Sequence, residues 1–203
     1  LTIGENACSG LTANAADQSL TLSASSTASI TGLTVSGGKL VIPGDISLSV
    51  FNVADNCEFT LAGTGTLSVP GGKTWTGVTS HFGDGTGLLF DSDLTFRTTA
   101  STISGGADSL GITVNGKTSL FTTLTVSGKL TTNTMETNGS GAVGTLEVVQ
   151  GGYVHFLEQI QLTNYSLGNS HFNLNISGGT VVSDKNLTMS NDGYSIITLT
   201  AGE

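Results

Sequence analysis

A strand-and-turn phrase repeats along this chain. Leu33-Thr34-Val35-Ser36-Gly37-Gly38-Lys39-Leu40 returns as Leu124-Thr125-Val126-Ser127-Gly128-Lys129-Leu130, with looser echoes in Ile112-Thr113-Val114-Asn115-Gly116-Lys117 and Leu174-Asn175-Ile176-Ser177-Gly178-Gly179. Each copy is a short alternating strand, a glycine turn and the start of another strand. A unit that small cannot bury its own apolar face, so copies must stack on one another. The expected fold is therefore all-β: a single-domain β-solenoid, or parallel β-helix, with irregular coils and loops.

Alternation carries through the rest of the chain. Ile46, Leu48 and Val50 alternate with Ser47 and Ser49, and Phe172, Leu174 and Ile176 with Asn173, Asn175 and Ser177. Period two marks half-buried strands. Gly71-Gly72, Gly105-Gly106, Asn115-Gly116, Gly151-Gly152 and Gly178-Gly179 punctuate these strands and supply positive φ where the chain bends. Their uneven spacing implies corners of unequal length. One domain is expected over 1–203, with an N-terminal cap within 1–30 and a single helical turn at 12–18 covering an open coil end. Residues 79–95 are expected to form a protruding loop and return strand, and 133–145 a second loop. A β-sandwich is the alternative, since short strands with frequent turn signals suit it too. The near-repeats and an aromatic content of 6% favour the solenoid.

Composition narrows the job. The chain has 203 residues, of which 10% are charged, and a net charge of −9 with only six basic residues. Lys39, Lys73, Arg97, Lys117, Lys129 and Lys185 are scattered, whereas phosphate binding needs clustered Lys and Arg. Nucleic acid and anionic membrane surfaces are excluded as partners on that ground. No apolar run approaches the roughly 20 residues of a spanning helix. Abundant Val, Ile, Leu and Thr separate the chain from disordered sequences, and the uncharged polarity of Ser, Thr and Asn fits a secreted or surface-exposed β protein. The start at Leu1, without a leader, leads us to expect a processed chain, a piece of a longer protein being the other reading.

Cys8 and Cys57 lack a CxxC neighbour, which removes zinc-ribbon and thioredoxin-like readings. In a secreted chain a Cys8–Cys57 disulfide is expected to pin the N-terminal segment, at about 4 kcal/mol in the chain-entropy model. Two separately buried thiols are the alternative.

The stretch Phe59-Thr60-Leu61-Ala62-Gly63-Thr64-Gly65-Thr66-Leu67-Ser68-Val69-Pro70-Gly71-Gly72-Lys73-Thr74-Trp75-Thr76-Gly77 resembles the strand repeat associated with bacterial autotransporter passengers. It departs from that pattern where Val69-Pro70 replaces the usual Ser-Gly. Residues 124–134 are similar to the shaft repeats of phage tail fibres. Both resemblances imply an extended extracellular scaffold for adhesion or assembly, on a cell or a virion surface.

Chemistry-bearing clusters are sparse. Asp91 and Asp93 lie two apart and face one way in a strand, so with Asp84 they are the candidate calcium ligands. The RTX and EF-hand patterns are not met, and solvated turn carboxylates are the alternative. A polysaccharide lyase or hydrolase would need two carboxylates across a groove. Asp91 with Asp93, or Glu147 with Glu158, are the available pairs, and Arg97 alone would have to bind uronates. His81 reads as a glycine-loop residue and His155 and His171 as strand residues, so neither a catalytic triad nor a zinc set is expected.

Trp75, Tyr153 and Tyr165 are candidate platforms for a sugar ring or a partner subunit, with core packing as the alternative. Ice binding would need regular Thr arrays, and the pairs Thr34/Ser36, Thr125/Ser127 and Asn173/Asn175 are too mixed. The sequons at Asn138, Asn164, Asn175 and Asn186 number about what chance supplies in so Ser- and Thr-rich a chain. The expectation is a non-enzymatic surface element without a resident cofactor. It self-associates into a filament or trimer through Leu1, Ile3, Ile196, Ile197 and Leu199, with a glycan or cell-surface receptor as the other candidate partner.

Overall fold

A computed structural model describes residues 2–3, 8–13, 19–22, 30–137, 139, 141–158, 160–161, 170–188 and 194–201. Among them there is no helix, and the strands form the stacked coils of a β-solenoid. A ten-stranded sheet runs Thr2–Ile3, Ser19–Leu22, Gly38–Ile42, Glu58–Gly63, Thr79–Phe82, Ser101–Gly105, Thr123–Val126, Val143–Val149, His171–Ser177 and Tyr194–Ala201. Its neighbours in space are one coil apart in sequence, as a solenoid requires.

A nine-stranded sheet follows the path Ile46–Ser47, Gly65–Val69, Thr86–Phe90, Gly111–Leu120, Lys129–Glu136, Tyr153–Phe156 and Thr180–Ser183. Lys73–Trp75 and Leu94–Phe96 join it beside Gly111–Leu120. Cys8–Ala13, Ile30–Val35 and Val50–Val53 make a three-stranded sheet, and Ile160–Gln161 pairs with Leu187–Thr188. Every ladder is parallel.

Parallel register converts sequence alternation into columns. In the ten-stranded sheet Phe59, Ser80, Ile103, Val126, Val148, Ile176 and Leu199 stand one above another. In the nine-stranded sheet Ile46, Leu67, Leu88, Ile112, Leu130, Val154 and Val181 do the same. The buried members of both sheets belong to one apolar cluster running from Leu20 to Ile176. Several polar residues of the interior are bonded to an adjacent coil. Ser80 Oγ donates to Thr102 O at 3.2 Å, Thr86 Oγ1 lies 3.1 Å from Leu61 O, and Val78 N donates to Ser101 Oγ at 3.0 Å. This spares the desolvation cost of an unpaired buried group.

Trp75 is the centre of the middle coils. It is buried and meets Phe59, Phe90 and Phe96 edge to face, with ring centroids 6.1, 5.7 and 5.8 Å away. It is therefore a core residue, the alternative reading for it, and not a platform for a sugar ring or a partner subunit. Alternation explains why, since Trp75 stands in register with the inward Phe96.

Three further expectations are corrected. Residues 79–95 do not protrude: Thr79–Phe82 and Thr86–Phe90 are ordinary strands with a coil on either side. The glycines that suggested a loop instead permit close stacking, since a Cβ at Gly87 would lie 2.8 Å from Leu110 Cβ. Residues 8–13 are strand, so the expected helical turn at 12–18 does not begin there, and 14–18 lie outside the described residues.

The Cys8–Cys57 bridge is also absent, and Cys57 is a free, buried thiol. Cys8 opens the strand two ladder steps from Val50–Val53, and Cys57 follows the far end of that strand. Two steps amount to about 10 Å, beyond the roughly 7 Å between Cα atoms that a disulfide tolerates.

Candidate functional site

Three places on the solenoid carry groups that its core does not use. The first is the end formed by Tyr194–Ala201. This strand pairs with His171–Ser177 on one side only and is the last in its sheet. Ile197 and Leu199 continue the inward columns of Leu174 and Ile176, yet they are 43% and 61% exposed, and the outward Ile196 is exposed as well. The strand carries no Lys, Arg, Asp, Glu or Pro, the residues with which proteins blunt such edges. At the opposite end Ile3 pairs with Leu22, while Leu1 lies outside the described residues.

The second is an outward line on the ten-stranded sheet. Thr60, His81 and Ser104 are register partners on successive strands, and Glu58 sits one rung to the side, opposite Thr79. His81 Nδ1 lies 2.5 Å from Ser104 Oγ, and His81 Nε2 lies 3.1 Å from Glu58 Oε1. His81 is thus a strand residue joining a hydroxyl to a carboxylate, and not the glycine-loop residue expected. Each link spans 23 residues, one local coil. That regularity was present in the sequence but could not be read before the coil length was known.

The third is on the outer face of the nine-stranded sheet. Tyr153 and His155 point away from the buried Val154 and Phe156, as their strand parity implied. Their rings meet edge on at 6.2 Å, and His155 Nε2 lies 2.9 Å from Asp184 Oδ1 on the next coil. Lys129 and Thr180 flank Tyr153 in register. Tyr165 lies outside the described residues.

The aspartates proposed as calcium ligands do not converge. Asp84 is in the turn before Thr86–Phe90 and Asp91 follows that strand, a separation of about 20 Å at the rise of extended chain. Asp91 Oδ1 accepts Gly71 N of the preceding coil at 2.6 Å, whereas Asp93 Oδ1 accepts Lys117 N of the following coil at 2.8 Å. Asp45 Oδ1 accepts Thr66 N in the same manner. These carboxylates tie turns of adjacent coils together, a role that sequence reading missed because the donors are about 20 residues away. Among the described residues, no group of three or more His, Cys, Asp or Glu side chains could hold a metal ion.

The carboxylate pairs considered for polysaccharide cleavage are likewise apart. Glu147 takes a hydrogen bond from Thr125 Oγ1 on the ten-stranded sheet, while Glu158 follows a strand of the other sheet. The Arg97 guanidinium lies 4.6 Å from the centre of the Phe121 ring.

Burial raises the Cys57 thiol above its ordinary range, and the neighbouring Glu58 carboxylate adds to the shift. No helix among the described residues is long and apolar enough to cross a membrane. No family model, curated protein or solved structure matches the chain.

Proposed function

We propose that this protein is a non-enzymatic structural and adhesive element of an extracellular surface, assembled into filaments or fibres through the ends of its coils. The observation that carries the reading is the uncovered rung at Ile197 and Leu199 on an uncharged edge of eight residues. Such an edge offers a full row of backbone donors and acceptors to an incoming strand. The occupant is a strand of a second copy. Only a strand with apolar residues at alternate positions continues both inward columns, and this chain repeats that pattern throughout. A head-to-tail contact of this kind propagates unless its rotation closes. The low charge, the Ser, Thr and Asn faces, and the resemblance of 59–77 to autotransporter passenger repeats support the surface role.

Electron microscopy and light scattering of the full chain test the proposal. Filaments or a closed oligomer are expected, and Ile197→Asp with Leu199→Asp should return the protein to a monomer. A wild-type chain that stays monomeric at every concentration, or a double variant that assembles unchanged, would overturn it.

A second reading, glycan binding, draws on Tyr153 beside the His155–Asp184 pair. A half-buried aromatic ring flanked by a hydrogen-bonding pair is suited to stacking on a sugar. Glycan-array binding that disappears in Tyr153→Ala would favour it.

A further inference from the structure

We propose that Ser104 is an activated nucleophile that accepts acyl groups from small neutral esters, with His81 as its base and Glu58 orienting the imidazole. Three residues on three successive coils meet the two geometric requirements of such a site: a nucleophile–base hydrogen bond and a base–orienter hydrogen bond. The proton positions follow from valence. An ionised Glu58 can only accept, so the neutral ring carries its proton on Nε2 and presents Nδ1 as the acceptor. Ser104 Oγ lies 2.5 Å from that nitrogen and 3.3 Å from its other acceptor, Ser80 O. The shorter contact takes the hydroxyl proton.

The site is open to reagents. His81 and Glu58 are 40% and 74% exposed in their side chains, and Ser104 is half-buried on the same outward face. Thr60, Thr79 and Thr102 beside it are hydroxylic, and the flanking charges, Glu58 and the Lys39 in register with Thr60, are of opposite sign, which suits a small neutral ester better than a charged one.

The step balances without a further reagent. Ser104 Oγ attacks the ester carbonyl carbon and its proton moves to His81 Nδ1. The bond from that carbon to the leaving oxygen breaks, and the departing alcohol takes the proton back from His81. The products are an O-acyl serine and an alcohol. The Ser127 and Gly128 amides beyond Ser104 both donate to Ile103 O, at 2.9 and 3.2 Å, and so are not free to hold the oxyanion. Oxyanion donors supply a large part of acyl-transfer rates, so acylation is slow and the acyl-serine accumulates instead of turning over quickly.

The test treats the full chain with p-nitrophenyl acetate and follows p-nitrophenolate release, intact mass and the position of the acetyl group. One acetyl per chain on Ser104 is expected, absent in Ser104→Ala and formed about 100-fold more slowly in His81→Gln, the lower range for a general base. Both substitutions lie on the outward face, and circular dichroism checks the fold. Should a variant unfold, prior labelling of the unaltered chain with a fluorophosphonate must block acetylation of Ser104. Acetyl groups on lysines alone, or Ser104 acetylation at an unchanged rate in His81→Gln, would overturn the proposal and leave an inter-coil hydrogen bond only. Neither result depends on whether the coils assemble end to end.

Discussion

The same inward column is built differently at its middle and at its end. Val126, Val148, Ile176 and Leu199 are consecutive partners in the ten-stranded sheet, with exposures of 0%, 0%, 8% and 61%. The parallel column of Leu146, Leu174 and Ile197 rises in the same way, from 0% through 2% to 43%. Side-chain chemistry barely changes along either column. What changes is how far the described strands on either side cover each rung. In a solenoid, stability is a sum of coil and nearest-neighbour terms, so burial at a position belongs to its neighbours as much as to the residue.

The largest effect that sharpens this contrast is at the aromatic centre. Trp75→Ala should cost about 3–5 kcal/mol, read as a lower denaturant midpoint, because it empties a site bounded by Phe59, Phe90 and Phe96. A matched pair comes next. Leu146→Ala should cost about 2–5 kcal/mol and Leu199→Ala under about 0.5 kcal/mol in monomeric protein. Equal costs would break the comparison, by implying that the last rung is covered in solution.

Gly63 takes φ of 100°, and a Cβ there would lie 1.9 Å from Ile42 O. Gly63→Ala should therefore lose at least about 2 kcal/mol by thermal melting, which places the rigidity of the middle coils in their corners as well as their core. Thr98 sits at φ of 65°, a conformation that costs a β-branched residue about 1–2 kcal/mol. After the entropy of glycine is deducted, Thr98→Gly should gain about 0.5–1 kcal/mol.

The smallest effect is confined to alkaline pH. A thiol whose folded value is raised favours the protonated, folded form. That contribution is complete below the ordinary thiol value, about 8.5, and is lost as pH rises through the folded value. Denaturation midpoints should fall with alkaline pH in wild type more than in Cys57→Ala. Alkylation of native Cys57 at neutral pH should be slow.

Much of this fold was legible from repetition and alternation. The phrase shared by 33–40 and 124–130 reports strands that stack, and parity set Phe172, Leu174 and Ile176, which are buried, apart from Asn173 and Asn175. Trp75 stayed open between platform and core because the three rings that enclose it come from other strands. The aspartates were misread for the same reason. Asp91 and Asp93 look like a pair along the chain, but they bond to opposite neighbouring coils.

Composition and period two were enough to dictate an all-β chain of short strands with one apolar face each, because those properties are local and survive any arrangement of the coils. Coil length was not local. It sets which residues lie about 4.8 Å apart across the ladder, and so it alone decided that Glu58, His81 and Ser104 would form one line and that Cys8 and Cys57 would stay apart.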